Sequence, residues 1–367
     1  NDIVVVFTDG EELGLLGAHA FVEQHHLADS IGLVLNFEAR GTSGPAIMWP
    51  ESSSGTAAMV SLYEQAEAEF PVTSSLIYEV YKLLPNDTDL TVFKNLKGIN
   101  GLNFAFIDNH YNYHTVNDDF NHLSYNSLMH QGLQLSALLP LVANTNLNTQ
   151  VQDTQDSIYF TIPMLGMVNW PTFASTLIII TAWLLFTLTV IIGIKSDRIN
   201  SKKIMKSTFS WLFSSLLSVL LVLFLIHVLY QWLEPQHNDI LQGYPYLGYG
   251  YLLSFLLAAL ISPFIVYGNR HKTLDVNTAL PASTTWLIAF SILSLKLPGA
   301  SYLLLPVISA FIMMLVILFH EKTGSSLSII FAVFGLLIVS LLLTLLPVAL
   351  GLKSSWISAL LLTWCLT

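Results

Sequence analysis

Apolar and polar residues alternate in short blocks over the first third of this chain and then give way to long apolar runs. Residues 3–7 form an unbroken β-branched and aromatic run, the pattern of a strand buried on both faces, and Asp9-Gly10 stops it. Residues 13–24 have the apolar spacing of a helix, and residues 31–37 read as a second buried strand ending at Glu38. A turn at Gly41, Gly44 and Pro45 leads to a short strand at 46–49. Residues 56–70 then read as an amphipathic helix whose Glu64, Glu67 and Glu69 form a solvated face. Residues 90–96 predict a helix capped by Asp87 or Thr88, and residues 101–107 a further strand. A polar loop at 111–121 and a helix over 123–142 close the block. Strands alternating with helices predict an α/β domain with a largely parallel or mixed sheet.

Beyond a polar stretch at 143–156 the rhythm changes. Apolar runs lie at about 171–194, 208–230, 251–267, 280–295, 302–319 and 327–350, each near the length that crosses a bilayer, and a seventh begins at 356. So many in succession argue against buried helices of a soluble protein. The expected organisation is an α/β soluble domain over 1–145, a linker over 146–170 and an all-α membrane domain over 171–367. That last domain holds about six complete spans and a truncated seventh. The chain opens directly in a strand-like run, without an initiator Met or targeting segment, and reads as part of a longer protein.

Charge divides the chain at the same place. Residues 1–156 hold 19 of the 24 acidic residues and 4 of the 14 Lys and Arg, so the net charge of −10 belongs to the soluble part. An acidic surface argues against nucleic acid as a partner and favours metal cations. The single cysteine, Cys365, permits no disulfide within the chain. Connections after the first, third and fifth spans carry Lys195, Arg198, Lys202, Lys203, Lys206, Arg270, Lys272 and Lys322, against Lys296 and Lys353 on the other side. The positive-inside rule places the first set in the cytoplasm. The acidic domain then lies in a periplasm, or in a vacuolar or endoplasmic reticulum lumen.

Candidate chemistry sits at the ends of the predicted strands, where open α/β sheets place it: Glu11-Glu12 after the first, Asn36-Phe37-Glu38 at the second, and Tyr113-His114-Thr115 in the polar loop. Two neighbouring glutamates alone would read as residues favoured in the first turn of a helix. If Glu12, Glu38 and His114 converge, two carboxylates and an imidazole suit a divalent metal such as zinc. Glu11 would then be free to take a proton from an attacking water. His19, His25, His26 and His110 read as surface or capping residues, and His227 as a hydrogen bond between packed helices. Asp87 and Asp89 either orient the site or cap the next helix. Asn86-Asp87-Thr88 matches a glycosylation acceptor, a pattern common by chance.

The blocks Asp9-Gly10-Glu11-Glu12-Leu13-Gly14, Leu35-Asn36-Phe37-Glu38 and Tyr113-His114-Thr115, in this order and spacing, resemble the M28 family of zinc exopeptidases, and within it the membrane-anchored branch. The resemblance covers residues 1 to about 145. It implies a zinc-peptidase fold, two zinc ions, peptide substrates and aminopeptidase activity, with Glu11 as general base. Glu12 and His114 would be ligands of one zinc. Glu38, where most of the family has Asp, would be a ligand of the other. In the family a further His and a bridging Asp lie upstream of the position of Asn1, so the chain as given is expected to be inactive alone. Two other readings compete: a metal-free pseudoenzyme acting as a receptor or interaction domain, and an accessory domain of a transporter. The scarcity of charge within the spans disfavours the second. Oligomeric state is left open.

Overall fold

In unit one, side-chain alternation decides which faces are built. The computed structural model describes residues 1–147, 153–268 and 275–366, with the backbone alone for 321–326. Arg270, Lys272 and the Lys322 side chain, all used in the charge argument, lie outside it. The chain divides into two units, the first comprising Asn1–Asp108, Asn112–Ser175 and Leu297–Tyr302. Its sheet runs β1-β3-β2, with β1 (Val34–Ala39) parallel to β3 (Gly101–Phe106) and β2 (Ile47–Glu51) antiparallel to it. The register sets Asn36 beside Asn103 and Phe37 beside Phe104. Because strand side chains alternate, one face collects Leu35, Phe37, Met48, Leu102 and Phe104. That face packs on Met59 and Tyr63 of α2 (Ala57–Gln65) and Leu138 of α5 (Tyr125–Asn144). The opposite face presents Asn36, Glu38, Asn103 and Glu51. Beside it, α1 (Leu16–Gln24) and α4 (Asp89–Lys97) pack through Ala18, Val22, Leu90 and Phe93, with Val34 of β1 against them.

Several expectations need correction. Residues 3–7 form no strand and are exposed, Phe7 to 93%. A β-prone run becomes a strand only where a neighbour takes its backbone N–H and C=O groups. Among the described residues β1 pairs only with β3, and the outer edge of β2 is met by a bridge from Met48 to Thr73, so neither edge strand takes up residues 3–7. The helix expected over 56–70 stops at Gln65, and Glu67 and Phe70 adopt left-handed backbone with φ of 48° and 54°. A short helix, α3 (Ser75–Tyr81), was not foreseen. Most of the described part of the stretch read as a linker is an antiparallel hairpin of β4 (Ser157–Ile162) and β5 (Gly166–Pro171), with Ile158, Tyr159 and Phe160 buried. Phe160 stacks on Tyr302 at 4.5 Å, and Ser75 Oγ donates to the Gly299 carbonyl at 2.8 Å, which is how residues 297–302 count with unit one.

Unit two is helical. It contains α6 (Phe173–Lys195, from Thr176 on), α7 (Ser201–Val228), α8 (Gly248–Tyr267), α9 (Val276–Lys296), α10 (Leu304–Phe319), α11 (Glu321–Leu350) and α12 (Ser355–Leu366). Among the described residues six helices are long and apolar enough to cross a membrane, and α12 is shorter. On α6, Leu177, Ile180, Leu184, Leu188 and Ile191 all face outward, a surface that lipid covers at no cost. Small hydroxyl residues join the helices: Ser218 Oγ donates to the Ala259 carbonyl at 2.9 Å and meets Thr363 Oγ1 at 2.8 Å. The chain is thus an α/β domain followed by an all-α, multi-span membrane region.

Candidate active site

Glu11 and Glu12 lie in a tight turn ahead of α1. Gly10 takes φ of 65°, the Glu11 carbonyl accepts from the N–H groups of Gly14 (3.0 Å) and Leu15 (2.7 Å), and Gly17 N–H donates to the Asp9 carbonyl at 2.8 Å. A Cβ on Gly17 would stand 2.5 Å from the Asp9 nitrogen, so glycine is what lets the turn close onto the helix start. The first turn of α1 contains no acidic residue. The helix-dipole explanation for the glutamate pair therefore does not apply.

From the loop after β3, His114 meets this turn. Its Nε2 lies 2.6 Å from Glu12 Oε2, and the Tyr113 ring stacks on the imidazole at 3.8 Å. Tyr113 also hydrogen-bonds Glu12, and burial followed by that carboxylate's charge pushes its hydroxyl pKa up. His114 holds left-handed backbone, φ 59°, rare for a residue with a Cβ and typical of positions that the surroundings over-determine. Its N–H donates to Asp118 Oδ2 at 3.2 Å, and Thr115 Oγ1 donates to the Asn112 carbonyl at 2.6 Å. The Asn- and Asp-rich composition of the loop supplies these ties.

Glu38, near the end of β1, lies within electrostatic reach of Glu11. Burial first, and then the Glu11 charge, push its carboxyl pKa up to about 8, while a hydrogen bond from Asn36 opposes the shift. Glu11 is raised by burial, then by Glu12 and Asp89, with His114 acting the other way. Asp89, the first residue of α4, adds to the negative potential at both. Its Oδ1 is buried without a hydrogen-bond partner among the described residues. Thr88 is the cap residue of α4, so Asp89 is not needed for that role. Sequence reasoning left Asp89 undecided, singled out Tyr113 without giving it a role, and missed Asn103 and Glu51. His110, read as a surface or capping residue, is buried.

The donor types suit a divalent cation: carboxylates crowded by other carboxylates, an imidazole, and an unpartnered buried oxygen on Asp89. Among the described residues, however, no three His, Cys, Asp or Glu side chains stand as a group able to hold one ion. The direct Glu12–His114 contact engages the atoms that ligation would use.

The first part of the chain is similar to known peptidases. Residues 1–139 match the model of Peptidase family M28. The chain is 27% identical over 180 residues to endoplasmic reticulum metallopeptidase 1 of Rattus norvegicus, covering 48% of this chain and 20% of that protein. It is 29% identical over 174 residues to the vacuolar membrane protease of Vanderwaltozyma polyspora, covering 46% and 18%. With the vacuolar membrane protease of Blastomyces gilchristii it shares 36% over 130 residues, covering 35% and 13%. The matched stretch spans about a fifth of the length of the first two relatives. No solved structure matches. The first 139 residues of this membrane protein thus match peptidase family M28, and the same stretch is similar to endoplasmic reticulum metallopeptidases and vacuolar membrane proteases.

Proposed function

We propose that unit one is part of a zinc-dependent exopeptidase, an aminopeptidase by preference, held outside the cytoplasm by the membrane helices. The observation that carries the proposal is the meeting of Glu12 and His114 at 2.6 Å beside Glu11, with Glu38 and Asp89 adding their charge to the same locality. Glu12 and His114 would be ligands of one zinc and Glu38 a ligand of the other, of the two ions that the family precedent implies. Zinc held there would supply a water of lowered pKa and a Lewis acid for the peptide carbonyl. Glu11, free of the ligand role, accepts the proton of the attacking water and passes it to the departing amine. The Tyr113 ring, stacked on His114, limits the imidazole's rotation.

Removal of metal tests this directly. Full-length protein should hydrolyse peptides with a free amino terminus and act poorly on their acetylated forms. A chelator should abolish the activity, and added zinc should restore it. Hydrolysis that survives thorough chelation would contradict the reading.

Orientation follows from the lysine- and arginine-rich odd connections and the sparse even ones. The connection between α9 and α10, an even one, includes residues 297–302, which pack within unit one and so support placing the peptidase on the lysine-poor side. A reporter active only in the cytoplasm should give signal when fused after Lys203 and none when fused between Gln236 and Gly243. The reverse pattern would put unit one in the cytoplasm.

A further inference from the structure

The polar face of the sheet carries a line of side chains that the chemistry above leaves unused. Asn103, at the middle of the central strand, is fully buried. Its Nδ2 donates to Glu51 Oε2 at 3.0 Å, while its Oδ1 accepts from Asn36 Nδ2 at 2.9 Å and from Thr88 Oγ1 at 3.1 Å. Asn36 Nδ2 in turn lies 3.5 Å from Glu38 Oε2. At the far end Glu51, also buried, accepts from Thr91 Oγ1 at 2.8 Å and from Lys94 Nζ at 2.7 Å. The line runs from Lys94 across β2, β3 and β1 to Glu38.

Its direction is fixed. Turning the Asn103 amide over would set its oxygen against the Glu51 carboxylate and its NH2 against that of Asn36, so only one orientation keeps every group paired. Asn103 must therefore present its oxygen to Asn36, and Asn36 keeps a donor toward Glu38. Apolar residues of similar size would serve a purely structural purpose as well, because burying polar groups and an ion pair inside a sheet adds little stability. Of the two ends, one is the Lys94 ammonium and the other is Glu38.

We infer that Asn36, Asn103 and the Glu51–Lys94 pair are positioning residues that hold the Glu38 carboxylate ready for a divalent cation. The inference rests on the reading of Glu38 as a metal ligand. Partners behind a ligand commonly change metal affinity 10- to 100-fold when removed.

Zinc affinity of metal-stripped full-length protein, measured by competition with a chromogenic chelator, tests it. Asn36→Leu keeps the volume and removes the donor; Glu51→Gln loosens the far end without emptying it. Affinity should fall roughly 10- to 100-fold in Asn36→Leu and by a smaller factor in Glu51→Gln, with thermal unfolding of the metal-free protein unchanged in the first. The double variant should lose little more than Asn36→Leu alone, because both substitutions cut one chain. Affinity within about two-fold of the parent in both single variants, or losses that multiply in the double variant, would overturn the inference. Glu38→Gln serves as the control. If it binds zinc as the parent does, or if the parent binds none, the ligand reading itself fails and this inference falls with it. If Glu38→Gln loses zinc while Asn36→Leu does not, only the positioning role is refuted.

Discussion

Glu11→Gln is expected to lower peptide turnover by a factor of roughly 10² to 10⁴, the usual contribution of a positioned general base. The amide has the shape of the carboxylate but cannot accept the proton. The turn that presents it is built from backbone contacts that do not involve the Glu11 side chain: its carbonyl to Gly14 and Leu15, and Gly17 to the Asp9 carbonyl. The loss should therefore fall on kcat, with substrate affinity close to the parent's. Steady-state kinetics on free-amino peptides measures both. Parental turnover in this variant would remove the peptidase proposal.

Lys94→Met is expected to weaken the folded state of unit one by about 3–5 kcal/mol, the usual consequence of removing one partner of a buried ion pair. Glu51 is 3% exposed, and its contact with Lys94 is 2.7 Å. Methionine keeps the apolar stem but leaves the carboxylate with the neutral donors Thr88, Thr91 and Asn103. Lys82 makes an equally short contact with Glu79, yet its side chain is 43% exposed and the pair is spaced i,i+3 along the chain. Lys82→Met should therefore change stability by no more than about 0.5 kcal/mol. Hydrogen exchange of the β2 and β3 amides in the full-length protein separates the two variants, since it reports the local opening free energy of the strands. Equal protection in both would show that Glu51 is not held by Lys94.

Much of this architecture could be read from residue order. The strands at 34–39 and 101–106 and the membrane helices follow from apolar pattern alone; of the candidate site residues, Glu12 and His114 meet, whereas the strand expected just ahead of Glu11 and Glu12 does not form. What failed did so where a local pattern meets a non-local requirement. Residues 3–7 have strand chemistry and no pairing partner among the described strands. The hairpin over 157–171 sits in a stretch whose polar beginning suggested a linker, and its core residues Ile158 to Phe160 are buried by contacts far away in sequence. Asn36 and Asn103 each look like an ordinary polar position. Only the register that sets them side by side, with Glu51 on the same face, reveals a connected line. Asp89 could not be separated from a capping role until Thr88 was seen to occupy it.

The most direct test of the central claim is the zinc content of Glu11→Gln and Glu12→Gln, purified side by side in the full-length protein. The two neighbours occupy one turn, but only Glu12 touches His114. If Glu12 is a ligand and Glu11 the base, Glu11→Gln should retain the parent's zinc while losing activity, and Glu12→Gln should lose zinc along with activity. Equal zinc loss in both variants, or full retention in Glu12→Gln, would contradict the assignment.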